Sequence, residues 1–576
     1  MQRTRFYAAG AAAAIAASGL AVAATAGTAS AAPTAERAAA GSYVVLAREG
    51  ADAQAIADRL AAGGARITSV NTDIGLISLD TTSSTFVDDT SRMDGVQGVA
   101  RDRAIGRSPG VAPRPSDVEK ENRVTPAAER GTSDSDRAGA KYSGDPLDRW
   151  LWGMDMIKAG AAHQKTLGDK RVRVGILDTG VDGRHPDLAA NFDRRLSRNF
   201  TTDMTDVDGE CEYTSCKDPN NVDDNGHGTH VAGTIAAAMN GMGLSGVAPK
   251  ATIVNIRGGQ DSGYFFLGPV SNALTYAANT GLDVVNMSFY VDPWLYNCTG
   301  GAPEDTPAQA REQETVIATM NRALKYATSK NVTLVAALGN QHDDLAKPRQ
   351  DVSSPDYGAE PHRRTIFNSR CVTLPTEGPN VLGISSLGPS GTKSDFSNYT
   401  TEVYSTEIEF SAPGGWYRDG FGTASYRTNE NMILSSAPRR VLQAEGAVDP
   451  KGNITPLGKE LGVKKACTAN PAPGADRCGF YQYLQGTSMA APHATGVAAL
   501  AVSAHGHKSA DGLTMKPGAV RWLMAQTATD HACPAGGVQE YVNEDRDETY
   551  TAICRGTTDR NGFNGFGIVN ANGVVR

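Results

Sequence analysis

The spacing of apolar residues changes character along this 576-residue chain. From residue 148 onward, short runs that are apolar at nearly every position alternate with stretches of helical period. The runs at 172–177, 252–256, 284–287, 333–337 and 381–385 suit strands covered on both faces. The clearest helical stretch, 314–330, sets Val316, Met320, Leu324 and Ala327 on one stripe. This alternation predicts an α/β domain, a parallel sheet flanked by helices, with ligands at the carboxyl ends of the strands.

A smaller pattern precedes it. Residues 43–46 read as a strand, and 51–62 as a helix that carries Ile56 and Leu60 and stops at Gly63-Gly64. Residues 67–79 alternate as a hairpin or long strand around Asp73-Ile74-Gly75. A helix at 84–93 and a strand at 96–105 complete the order β-α-β-β-α-β, a small ferredoxin-like α+β unit. Residues 107–146 lose this periodicity. Pro109, Pro113 and Pro115 open a stretch rich in Gly, Ser and charge that reads as an exposed, cleavable linker. Residues 1–31 carry Arg3 and Arg5, an Ala-rich apolar stretch and Ala29-Ser30-Ala31, the three parts of a secretory signal peptide. Gly10, Ser18, Gly19 and Thr25 interrupt the apolar stretch and argue against a membrane anchor.

Charge excludes some functions. The chain has 55 basic and 63 acidic residues, a net charge of −8, and no basic run. That balance disfavours binding to nucleic acid or to an anionic membrane. The eight cysteines all follow residue 210, and an even number in an exported chain points to disulfides. Proximity favours Cys211–Cys216, Cys467–Cys478 and Cys533–Cys554, which leaves Cys298 with Cys371, although sequence alone leaves the connectivity open. A zinc site is the competing reading, but no C-x-x-C pair occurs.

Three motifs carry candidate chemistry. In R-V-R-V-G-I-L-D-T-G-V-D, Asp178 ends an apolar strand just before a glycine turn. In N-G-H-G-T-H-V-A-G-T-I-A, His227 opens a helix between two glycines. His230 lies three residues on with no Glu between, so the pair lacks the zinc-peptidase pattern and His230 reads as a packing histidine. In G-T-S-M-A-A-P-H-A-T-G-V-A-A-L, Ser488 opens a helix that is small or apolar all round, and the unpaired N–H groups of its first turn can face a developing anion. The α/β-hydrolase elbow needs a glycine where Ala490 stands, and a different order of nucleophile, acid and histidine.

Taken together, D-T-G at Asp178, H-G-T-H-V-A-G-T at His227, A-L-G-N at Ala337–Asn340 and G-T-S-M-A-A-P-H at Ser488 resemble the subtilisin-like (subtilase) serine peptidases. The resemblance covers 148–576 and, more loosely, likens the small unit to the family's inhibitory propeptide. It implies a signal peptide at 1–31, a propeptide at 32–106, a linker and maturation region at 107–147 and a peptidase domain at 148–576. It also implies a secreted, monomeric endopeptidase made as a zymogen, acting on protein or peptide and held by its own propeptide. Ser488 would be the nucleophile, His227 the general base and Asp178 its orienter, with activity rising as His227 loses its proton near 6.5. Asn340 and the Ser488 N–H would form the oxyanion hole, and Ser288 and Gly339 would line the substrate site. Tyr290 and Leu338 stand where the family usually has small residues and would narrow the specificity pocket.

No metal or cofactor is required for this chemistry. The acidic stretch 201–224 suits either structural calcium or a solvated, disulfide-pinned loop, and no complete D-x-D-x-D-G pattern is present. The stretches 292–313 and 415–477 read as long and irregular. Their bulk motivates an alternative, a processing peptidase dedicated to one precursor. A catalytically silent binding module on the same fold is a further alternative. A sedolisin-like acid peptidase is opposed by His227 and Asn340.

Overall fold

The computed structural model describes residues 41–102, 118–126, 129–131, 142, 144–356, 361–405, 407–510 and 512–576. The segment read as a signal peptide, and most of the linker, lie outside the described residues.

The small unit comprises β1 (Gly41–Ala47), α1 (Ala53–Ala62), β2 (Arg66–Asn71), β3 (Leu76–Thr81), α2 (Phe86–Ser91) and β4 (Val96–Arg101). Its antiparallel sheet has the order β2-β3-β1-β4. Because side chains alternate across a strand, the sheet has two apolar faces. Val45, Ile77, Leu79 and Val99 pack on Ile56 and Leu60 of α1. Val44, Leu46, Leu76 and Ala100 instead enter a cluster with residues of the large domain.

That domain is built on seven parallel strands: β5 (Arg173–Leu177), β6 (Arg198–Asn199), β7 (Thr252–Arg257), β8 (Val284–Met287), β9 (Thr333–Ala337), β10 (Val381–Leu387) and β11 (Phe410–Pro413). They lie in the order β11-β10-β9-β8-β5-β7-β6. The helices are α3 (His227–Ala236), α4 (Leu267–Asn279), α5 (Pro307–Ser329) and, later in the chain, α6 (Arg439–Ala444) and α7 (Thr487–His505). The expected parallel α/β sheet is present, and β8 and β9 have the predicted bounds. Helix α5 starts at Pro307, seven residues before the predicted stretch 314–330. Its first two turns, 307–313, carry no large apolar side chain, and the start is set by a capping box between Thr306 and Gln309, with Pro307 in the first turn.

The stretch expected to be irregular at 415–477 is more ordered than it reads. It contains β12 (Ile433–Ala437), α6 and β13 (Lys464–Cys467), and β12 and β13 flank β14 (Cys478–Leu484) in an antiparallel sheet. Three disulfides join the pairs favoured by proximity, and the fourth joins the remaining Cys298 and Cys371. Among the described residues, no helix is long and apolar enough to cross a membrane.

The small unit rests on α4 and α5. Arg322 donates to Ala47 O at 2.9 Å and Ile74 O at 2.8 Å, and Asn279 reaches Asp73 at 2.7 Å. Asp102 accepts from Gly268 N at 2.8 Å, one of the otherwise unpaired donors at the start of α4.

Candidate active site

Asp178 follows β5 and is fully buried. Its Oδ1 accepts from Thr179 N at 2.8 Å and faces His227 Nδ1 at 2.7 Å. Burial pushes the Asp178 carboxyl up, against the opposing pull of the imidazole. His227 begins α3, and a close approach by that helix makes the contact possible. A Cβ on Gly228 would overlap Gly180 O in the turn after Asp178, so only glycine fits. The turn and the helix are tied by Asp223. Its Oδ1 accepts from Gly226 N at 2.8 Å and Thr179 Oγ1 at 3.0 Å, and its Oδ2 accepts from Thr229 N at 2.9 Å and Thr229 Oγ1 at 2.6 Å. His230 is buried with Nε2 near Ile433 O and Gln482 O, and burial lowers it to about 3, as suits a packing histidine.

Ser488 lies in the first turn of α7. In a regular helix its carbonyl would receive the N–H of residue 492, but Pro492 has none. Ser288 Oγ supplies the missing donor at 3.0 Å. Ser288 is in turn set by Asn286 Nδ2 at 2.9 Å, and Asn286 by Thr495 Oγ1 at 2.9 Å. Ser488 Oγ donates to Ser288 O at 3.4 Å. Among the described residues no hydrogen bond joins it to His227. Ser288 thus holds the Ser488 turn directly.

Asn340 follows β9, and Thr487 sets its amide. Thr487 N and Oγ1 both donate to Asn340 Oδ1, at 2.9 and 2.8 Å, which leaves Asn340 Nδ2 as a donor for another group. Thr487 Oγ1 also accepts from Gly339 N at 3.0 Å. Gly339 has φ +111°, and a Cβ there would lie 2.5 Å from Asn398 Nδ2. Leu338 corrects one expectation. Its side chain is fully buried with Phe396, Tyr399 and Trp416 beneath the site and does not narrow a pocket. Tyr290 is turned to Asp356, with its hydroxyl donating to Oδ2 at 2.6 Å.

His227 also has a partner that the motifs did not indicate. Glu119, from the stretch read as linker, places Oε1 3.4 Å from His227 Nε2. Burial works against a charged imidazole, but the carboxylates of Asp178 and Glu119 outweigh it and hold His227 well above the ordinary histidine value.

The acidic loop converges on Arg257, which is fully buried at the end of β7. The guanidinium reaches Asp218 at 2.5 Å, Asp261 at 2.9 Å and Asp203 at 3.6 Å, and its Nε donates to Gly259 O at 3.0 Å. Burial and neighbouring carboxylates still push Asp203 up to about 6 and Asp261 up to about 8. Asp203, Asp218 and Asp261 present oxygens within 4.8 Å of one another. Asp203 and Asp218 Oδ1 include buried atoms with no hydrogen-bond partner. These oxygens fit a hard cation beside the guanidinium.

Parallel sheet, strand-end Asp, helix-start His and Ser, and an aligned Asn amide define a class. The subtilase family model matches residues 169–550, well over half of the chain, and the chain belongs to that family. It is a serine-type endopeptidase with a subtilisin-like α/β fold.

Among relatives, it is 32% identical over 244 residues to Subtilisin Savinase of Lederbergia lenta, covering 42% of this chain and 75% of that protein. The same identity over 244 residues to the Alkaline protease of Shouchella clausii covers 42% of this chain and 53% of the relative, so the chain spans about half of that protein. To the Major intracellular serine protease of Bacillus subtilis (strain 168) it is 28% identical over 351 residues, covering 60% of this chain and 73% of the other. Its fold is similar to that of the epidermin leader peptide processing serine protease of Staphylococcus aureus. The TM-score is 0.58 at 18% identity, covering 93% of this chain and 98% of that one.

Proposed function

We propose that this chain is the precursor of a secreted endopeptidase that cleaves through a Ser488 acyl-enzyme. His227 takes the Ser488 proton during attack and returns it to the leaving amine, while Asp178 holds the imidazole tautomer and stabilises the imidazolium. Asn340 Nδ2 and Ser488 N–H receive the developing oxyanion. The observation that carries this reading is the 2.7 Å contact of His227 Nδ1 with a buried Asp178. The Asn340 amide oriented by Thr487 adds support.

In this reading 1–31 directs export, 32–106 is an inhibitory propeptide, 107–147 carries the maturation cut and 148–576 is the peptidase. Support comes from the docking of β1–β4 on α4 and α5 and from Glu119 at His227. Calcium has no part in the chemical step; bound at Asp203, Asp218 and Asp261, it would stabilise the 201–224 loop. The test is the intact mass of the secreted protein beside Ser488→Ala. Loss of the residues before the peptidase in wild type alone, with fluorophosphonate labelling of Ser488, is the expected result. Absence of labelling in the matured protein would sink the proposal. A processing peptidase for one precursor is a second reading, favoured by the ordered insertion at 415–477 beside the cleft. Turnover of casein counts against it.

A further inference from the structure

Residues 118–126 pass beside the proposed catalytic groups and are held there by side chains. Gln485, three residues before Ser488, donates through Nε2 to Val118 O and to Glu121 Oε2, both at 2.9 Å. Its N–H donates to Glu119 O at 3.2 Å. Glu121 Oε1 accepts from Arg418 Nε at 2.5 Å, and Arg546 Nη2 stands 3.8 Å away. Lys120 and Arg123 both reach Glu445, just after α6, at 3.0 and 2.8 Å.

The charges in this arrangement are not interchangeable. Arg546 is already paired with Asp395 at 2.5 Å. Arg418 has Glu121 as its carboxylate partner, and no other lies in ion-pair range among the described residues. The two side chains are only 14% and 9% exposed. A guanidinium this enclosed is costly to leave unpaired. Any peptide that takes the place of 118–126 must therefore bring an anion to Arg418 or forfeit that pairing. Glu445 makes the complementary demand for a base.

We propose that Arg418 and Gln485, with Arg546 behind them, form a carboxylate subsite in the cleft. This subsite selects peptides that carry Glu or Asp there and a basic residue two positions on, for Glu445. In the precursor Glu121 and Arg123 fill these places, so the maturation segment and the preferred substrate share one charge pattern. The inference rests on the peptidase reading above and gives it a substrate class.

The test uses two synthetic peptides with the sequence of residues 118–126, one natural and one carrying Glu121→Gln, as inhibitors of casein hydrolysis by the matured enzyme. The Glu121→Gln peptide should bind roughly tenfold more weakly, as when a charged hydrogen bond is exchanged for a neutral one. With Arg418→Gln enzyme the two peptides should bind within about twofold of each other. Equal inhibition of the wild type by both peptides, or a difference that survives Arg418→Gln, overturns the subsite.

If casein is not cut at all, the broad-specificity reading fails by itself, and the subsite is judged on the full-length Ser488→Ala chain. There trypsin should cut after Lys120 and Arg123 at least about fivefold faster when Arg418 is replaced by Gln, by loss of the buried pairing. Equal rates overturn the proposal whatever the enzyme does.

Discussion

Replacing Ser288 by Ala tests how the nucleophile is held. Ser288 Oγ donates to Ser488 O and accepts from Asn286 Nδ2, and all three residues are buried. The change strands a carbonyl and an amide N–H, and each unsatisfied buried group costs about 1–3 kcal/mol. We therefore expect a loss of about 2–6 kcal/mol in stability. The carbonyl's share exists only because Pro492 cannot donate. Pro492→Ala restores an N–H four residues after Ser488, so Ser288→Ala should cost about 1–2 kcal/mol less in that background. The assay is urea unfolding of the four chains of this cycle, all carrying Ser488→Ala to prevent self-digestion. In the active enzyme, Ser288→Ala should lower kcat more than it raises KM, because the turn bearing Ser488 loosens. An identical cost of Ser288→Ala with and without the Pro492→Ala change would refute the argument.

Three other outcomes can be checked. The imidazole of His227 is held up partly by Glu119, so its pairing contributes stability below about pH 6.5 that is lost as pH rises through the higher folded value. Glu119→Gln should move the onset of self-cleavage, followed by intact mass against pH, to lower pH; an unchanged onset would contradict the contact. Arg257→Met leaves Asp203, Asp218 and Asp261 without their common cation and should cost about 3–5 kcal/mol by denaturant midpoint. Added calcium should recover part of that loss and EDTA should abolish the recovery; no response to calcium would remove the cation from the picture. Asn340→Ala should lower kcat on the order of 10²–10³-fold with little change in KM, a magnitude established for the homologous donor in subtilisin and not worked from this structure.

Much of the sheet was legible because buried parallel strands have little freedom in composition. Val284–Met287 and Thr333–Ala337 are buried throughout, and their bounds follow from where polarity returns. The three motifs were legible because glycine, Asp, His and Ser stood at turns whose geometry they require. The groups that orient them were harder to see. Asp223 sat in an acidic loop where many carboxylates were equivalent on paper, and nothing local marked it as the one that accepts from Gly226 N and Thr229 N. Asn286 lay within an otherwise apolar strand, and nothing local linked it to Ser288 and Thr495. Leu338 was read as narrowing the pocket because it stands where the resembled family usually has a small residue. The strand alternation that turns Leu338 inward becomes visible only once β9 is placed. Arg257 could not be paired from sequence, since its three carboxylates come from two separate stretches.

For the proposed zymogen, the contacts of His227 and Ser488 give a reason for latency although the Asp178–His227 pair is already formed. A Ser–His–Asp relay needs a free lone pair on His227 Nε2 and a Ser488 hydroxyl turned toward it. Neither condition holds: Nε2 faces the Glu119 carboxylate, and Ser488 Oγ donates to Ser288 O at 3.4 Å. Both features lie where 118–126 enters the cleft, since Gln485 binds that segment three residues before Ser488. On the proposed maturation, removal of the segment would take away Glu119, the second of the two carboxylates that raise His227, and would free His227 Nε2 to face Ser488 Oγ. Asp178, Asn286 and Thr487 keep their partners throughout, because none of them touches the segment. Activation on this view requires no rebuilding of the site: the oxyanion donors and the Asp178–His227 pair stay in place, and only the last hydrogen bond waits on departure of Glu119.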